Sequence, residues 1–306
     1  MIILTPFEKA RAFMYRCARP LELALWQYHF EGGSAENVLR ALSFYQNEDG
    51  GFGHALEADN WNPHSSPLTT QTATEILYAV DAPADHPIVQ GALRYLDSGA
   101  DFNEEHRQWP GSVPTNNDHP RAIWWTYEAD KEAYRYNPTV GLAAFILRYA
   151  QRDSAVYRKG LSLAQEAIDW LLRQEPFAEK HIVFLFQRLA EFGKGHDLPG
   201  FDEMVDRLND LAPLCVCTDL DKYGVEYVDR PTDLIDGPEH PWYPLIAEAA
   251  QAECDFLIES QLADGSWPVP WKWWNEYTEE FAVAANWWKG HIVLKHILFL
   301  KKFGKI

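Results

Sequence analysis

The strongest constraint on the fold is a unit of punctuation that occurs twice, far apart in the chain. Gln46-Asn47-Glu48-Asp49-Gly50-Gly51-Phe52 and Gln261-Leu262-Ala263-Asp264-Gly265-Ser266-Trp267 each run Gln, two residues, Asp-Gly, one residue, aromatic. Each follows an apolar run with helical spacing, at 38–45 and 252–258. An amphipathic helix is therefore expected to stop at an Asp-Gly turn, where glycine accepts a left-handed conformation. A helix-stop unit used twice points to a helical repeat architecture.

Periodicity along the rest of the chain is helical as well. Apolar spacing and breaker positions predict helices over 6–17, 20–30, 34–46, 69–80, 86–98, 138–151, 155–174, 178–192, 200–211, 243–261 and 281–303. No convincing alternating strand competes with them. The expected class is all-α, and helices joined by short links suit a ring of antiparallel hairpins, an α/α toroid. No Pro/Gly/Ser-rich linker divides the sequence, so a single domain over 1–306 is expected.

The repeat residues resemble the Gln-x-x-Asp-Gly-x-(Trp/Phe) units of the terpenoid cyclase and protein prenyltransferase superfamily. The resemblance implies an α/α toroid in which Gln and Asp tie helix ends and the aromatic packs between helices. A worn third copy at Gln174-Glu175-Pro176-Phe177 lacks the Asp-Gly step. The activities of that superfamily each imply a motif. Protonation-initiated cyclases use Asp-x-Asp-Asp, and the nearest strings here are Asp219-Leu220-Asp221 and Asp233-Leu234-Ile235-Asp236. Prenyltransferases use Asp-x-Cys plus a distant His for zinc, and here Cys217-Thr218-Asp219 has the reverse order. Cys215, Cys217 and Asp219 with His291 or His296 form a conceivable zinc site, and two buried cysteines equally need no metal. The Lys/Arg cluster that holds a diphosphate in these enzymes is not visible.

A formal charge of −18 argues against nucleic acid and anionic membrane surfaces, which are met with clustered Lys and Arg. The start lacks a secretory signal pattern, and the run 292–300 is broken by charge and too short to span a bilayer. Four cysteines form no evident disulfide framework. The expectation is a soluble cytoplasmic protein without a membrane span, a monomer because no long heptad seam occurs.

Candidate chemistry gathers in the long connections 51–69, 99–137, 212–242 and 262–280, which carry much aromatic surface and read as functional loops. His54, Glu57 and Asp59 follow the first repeat directly and offer an imidazole and two carboxylates for acid/base work. A hydrogen-bonded structural loop is the plainer account. Trp271, Trp274 and Glu276 follow the second repeat, and the symmetry of a toroid would bring both clusters to one mouth, with Glu57 or Asp59 facing Glu276 or Glu279. Glu279 and Glu280 would equally serve the start of the last helix. The candidate catalytic residues are thus Glu57, Asp59 and His54, and the candidate substrate surface is Trp61, Trp271, Trp274 and Glu276. No cofactor follows from the sequence, and the cluster matches no metal signature.

Three readings remain open: a prenyltransferase or terpenoid-cyclase-like protein with an apolar ligand, a glycan-active toroid with tryptophan platforms and paired carboxylates, and a toroid that binds a ligand without catalysis.

Overall fold

A computed structural model describes residues 4–306 and bears out the all-α class: among these residues there are eleven α-helices, short 3-10 turns and no β-strand. In chain order they are α1 Pro6–Cys17, α2 Pro20–Phe30, α3 Ala35–Ser43, α4 Pro67–Ala79, α5 Pro87–Ser98, α6 Thr139–Tyr149, α7 Ala155–Leu172, α8 Lys180–Phe192, α9 Phe201–Leu211, α10 Tyr243–Ser260 and α11 Thr278–Lys302. Each lies where apolar spacing puts it, with ends shifted by a turn at most.

Local chemistry sets the starts. Thr5 and Glu8 form a capping box at α1, with Pro6 at the first helical position, where its missing N–H is no loss. Ser66 caps α4 and Ser154 caps α7 through their hydroxyls. Glu179 caps α8 with both carboxylate oxygens, from His181 and Ile182 amides at 3.2 and 2.9 Å. Glu279 and Glu280 sit in the first turn of α11, the plainer of their two expected roles.

The chain divides into two compact units. Unit 1 holds Met1–Ala41, Ala212–Lys272 and Thr278–Ile306, and unit 2 holds Leu42–Leu211 with the short return Trp273–Tyr277. In unit 1, α11 packs on α1, α2 and α10. In unit 2, α6 is the central helix and packs on α4, α5, α7 and α8. Every residue of α6 except Arg148 is buried, which its nearly unbroken apolar sequence dictates. Among the described residues no helix is long and apolar enough to cross a membrane.

Candidate functional site

The two repeat units are built alike, one in each unit of the fold. Gln46 Nε2 donates to the Gly50 carbonyl across its own turn and to the Ile88 carbonyl in the first turn of α5, both at 2.9 Å. Gln261 Nε2 donates to the Gly265 carbonyl at 3.1 Å and to the Pro6 carbonyl at the start of α1 at 2.9 Å. Asp49 Oδ1 accepts the Gly51 amide and the Ser65 hydroxyl, and Asp264 Oδ1 accepts the Ser266 amide and hydroxyl. Gly50 and Gly265 both have φ +95°, and a Cβ on either would strike a carbonyl oxygen, of Gly91 and of Lys9. Phe52 and Trp267 are buried. Gln and Asp are therefore helix-end clasps. Gln174, in the worn copy, turns back to the Trp170 carbonyl of its own helix at 3.0 Å.

The loop after the first clasp is tied into unit 2 at nearly every residue. Asp59 is 3% exposed; its Oδ1 accepts the Trp273 indole N–H at 2.6 Å and its carbonyl accepts the Ala122 amide at 2.8 Å. Trp61 packs edge-on against Trp273 at 6.0 Å and donates its indole N–H to the Ala58 carbonyl. Asn60 and Asn62 both donate to Asn116 Oδ1, at 3.1 and 2.9 Å. Glu57 is buried, and His54, with φ +56°, meets Asn47 Oδ1 through Nε2 at 2.8 Å. Glu276 is exposed, whereas Glu57 and Asp59 are buried. Trp274 is 72% exposed in the same unit. Trp271 belongs to unit 1, where it meets Tyr227 and Trp288 edge-on at 5.7 and 5.2 Å.

A cavity of about 400 Å³ lies in unit 2 and is lined by other residues. Its wall is made by Gly111 and Ser112, by the 3-10 turn carrying Trp124 and Trp125, by the segment 126–137, and by the α8 start at Glu179 and Ile182. None of the seven candidate site residues lines it. Glu128 forms an ion pair with Lys131 at 2.6 Å, Glu132 Oε1 accepts the Gly111 amide at 2.7 Å, and Arg135 is exposed. The Trp125 Nε1–H is buried and has no hydrogen-bond partner among the described residues. The sequence signal for this wall was the aromatic content of the 99–137 connection. Its carboxylates carry no motif, because Glu132 and Glu179 meet only in space.

Elsewhere the fold gathers polar groups that sequence reasoning passed over. In unit 2, Glu75 on α4 pairs with Arg188 on α8 at 2.7 Å, and burial pushes the Glu75 carboxyl above its usual range despite that partner. In unit 1, Glu253 is fully buried and accepts the amide and hydroxyl of Thr232 at 2.8 and 2.7 Å, with burial again pushing its carboxyl up. Arg230 reaches both Glu253 and His296 Nε2, the latter at 3.0 Å. All four cysteines are free, and Cys217 Sγ lies 3.7 Å from the Asp219 carbonyl. Among the described residues no three His, Cys, Asp or Glu side chains converge as metal ligands.

No family model matches the sequence, and no curated protein or solved structure matches it.

Proposed function

We propose that the chain is an α/α toroid of the terpenoid cyclase and prenyltransferase kind in architecture, and that it binds a short neutral oligosaccharide or glycoside in the unit 2 cavity. The architecture is supported by the duplicated clasp, the same five-point arrangement of Gln, Asp, Gly, helix-start carbonyl and buried aromatic in both units.

One observation carries the ligand reading. The Trp125 indole N–H is an orphaned buried donor in the wall of a cavity that also presents Trp124, Glu128, Glu132 and Arg135. An unsatisfied buried donor costs about 1–3 kcal/mol, so a ligand oxygen that reached it would be favoured. Sugars have apolar ring faces that suit indoles and hydroxyl edges that suit carboxylates and a guanidinium, and the volume is in the range of small-molecule sites. Three glutamates against Lys131 and Arg135 leave a formal charge of −1 (two minus three), which disfavours a diphosphate. Glu179 is engaged in capping, Glu132 in holding Gly111 and Glu128 in an ion pair. Those engagements suit recognition of hydroxyls better than proton transfer.

A second reading, an isoprenoid ligand, is favoured by the edge-to-face run Tyr227, Trp271, Trp288 and His291 in unit 1. A thermal-shift panel separates the two, because a ligand that binds only the native state raises Tm. Neutral oligosaccharides are expected to raise Tm in the native protein and to lose that effect in Trp124→Ala and Glu132→Gln. A shift with prenyl diphosphate and none with any sugar would overturn the carbohydrate reading.

A further inference from the structure

We propose that Trp274 is an outer stacking platform that continues the unit 2 cavity, so that the preferred ligand spans at least two sugar rings. The inference rests on the carbohydrate reading above.

Trp274 combines two features that each need a reason. It is an indole left 72% exposed, and it has φ +59°, a left-handed conformation that a bulky side chain rarely adopts. Such a conformation persists only where its surroundings over-determine it. Here they do. The preceding Trp273 is buried, with its indole N–H on Asp59 and its carbonyl accepting the Ile123 amide at 3.1 Å. The following Asn275 donates through Nδ2 to the Arg121 carbonyl at 2.6 Å, and its Oδ1 accepts the Tyr277 amide at 3.2 Å. The backbone is thus pinned on both sides of a side chain that is itself turned to solvent.

The pinning also sets the Trp274 backbone beside the segment that carries the cavity tryptophans. Trp273 is bonded to Ile123, the first residue of the 3-10 turn whose next two residues, Trp124 and Trp125, line the cavity. Ile123 and Trp124 are 53% and 41% exposed. Ile123, Trp124 and Trp274 are thus three exposed apolar side chains on two segments joined by that backbone hydrogen bond, and Trp124 is part of the cavity wall. An indole on a backbone already held in place has less freedom to lose when a flat ring face stacks on it. We take a polar ring held inside by Glu128, Glu132 and Arg135 to have its linked neighbour on the Trp274 side of the opening.

The test is a titration, followed by tryptophan fluorescence, with glucose, cellobiose and cellotetraose and with the corresponding α-linked maltosaccharides. The native protein is expected to bind the longer member of one series at least tenfold more tightly than the monosaccharide. Trp274→Gly, which also relieves the left-handed backbone, is expected to keep or raise Tm and to erase the length preference while leaving monosaccharide affinity unchanged. Trp274→Tyr is expected to retain most of it. Equal length dependence in the native and Trp274→Gly proteins would overturn the platform while leaving the cavity reading intact. A Tm loss with unchanged affinities would make Trp274 merely structural. Absence of sugar binding in the native protein would overturn both.

Discussion

Asp59 has its side chain and its carbonyl both committed, to the Trp273 indole and to the Ala122 amide. Its sequence context, beside Glu57 and close to His54, reads as acid/base chemistry because adjacency in sequence is visible and burial is not. A buried carboxylate needs a donor, and the Trp273 indole N–H offsets part of the cost of taking it out of water. His296 shows the same kind of commitment in unit 1. Burial, reinforced by Arg230 and Lys295 and opposed by Asp233, holds its imidazole well below the usual histidine range, with His291 adding to the depression. The ring is neutral in the folded protein, while the unfolded chain takes up a proton near pH 6.5. The stability this contributes is present in full above that pH and is lost as the pH falls below it. Between about pH 7 and pH 5 the native protein is therefore expected to lose Tm relative to His296→Asn. Parallel pH dependence of the two melting curves would refute it, and comparing the two proteins cancels the opposite trend of Glu75 and Glu253, whose raised pKa values favour the fold as pH falls.

At the scale of elements, the helices were legible because apolar spacing, proline at helix starts and Asp-Gly stops are local signals. The clasp was legible as a role as well as a motif: Gln46 and Gln261 do tie their turns to a helix start, that of α5 and that of α1. What sequence did not reveal is the partner. Ile88 and Pro6 are ordinary helix-start residues, chosen only because their carbonyls point at the turn. Gln46→Ala and Gln261→Ala each remove two hydrogen bonds and are expected to cost about 1–3 kcal/mol. Gly50→Ala and Gly265→Ala should cost more, because strain at φ +95° adds to a collision with a carbonyl. Chemical denaturation gives the magnitudes, and hydrogen exchange gives the place: loosening is expected first in α5 for the Gly50 variant and in α1 for the Gly265 variant. Uniform loosening of all helices by both variants would show that the clasps are not the local ties described.

Across the whole molecule, the candidate site was the least legible part. The cavity wall takes residues from 111–112, from 124–137 and from the start of α8, and no spacing rule links a helix cap such as Glu179 to a tryptophan in a 3-10 turn. Aromatic density in the 99–137 connection, Trp124 and Trp125 included, pointed to the region but not to Glu132, Arg135 or Glu179. Trp274 was nominated for its place after the second clasp, and Trp273 and Asp59 turn out to be the brace that holds it out. The measurement that tests the account most directly is ¹⁵N NMR of the tryptophan indole N–H groups, assigned through Trp124→Phe and Trp125→Phe, during titration with neutral oligosaccharides. The account predicts that the Trp125 resonance moves first and furthest, in the direction of a newly formed hydrogen bond, with Trp124 and Trp274 following. Movement confined to Trp271 and Trp288 with a prenyl diphosphate, while Trp125 stays fixed under every sugar, would contradict it.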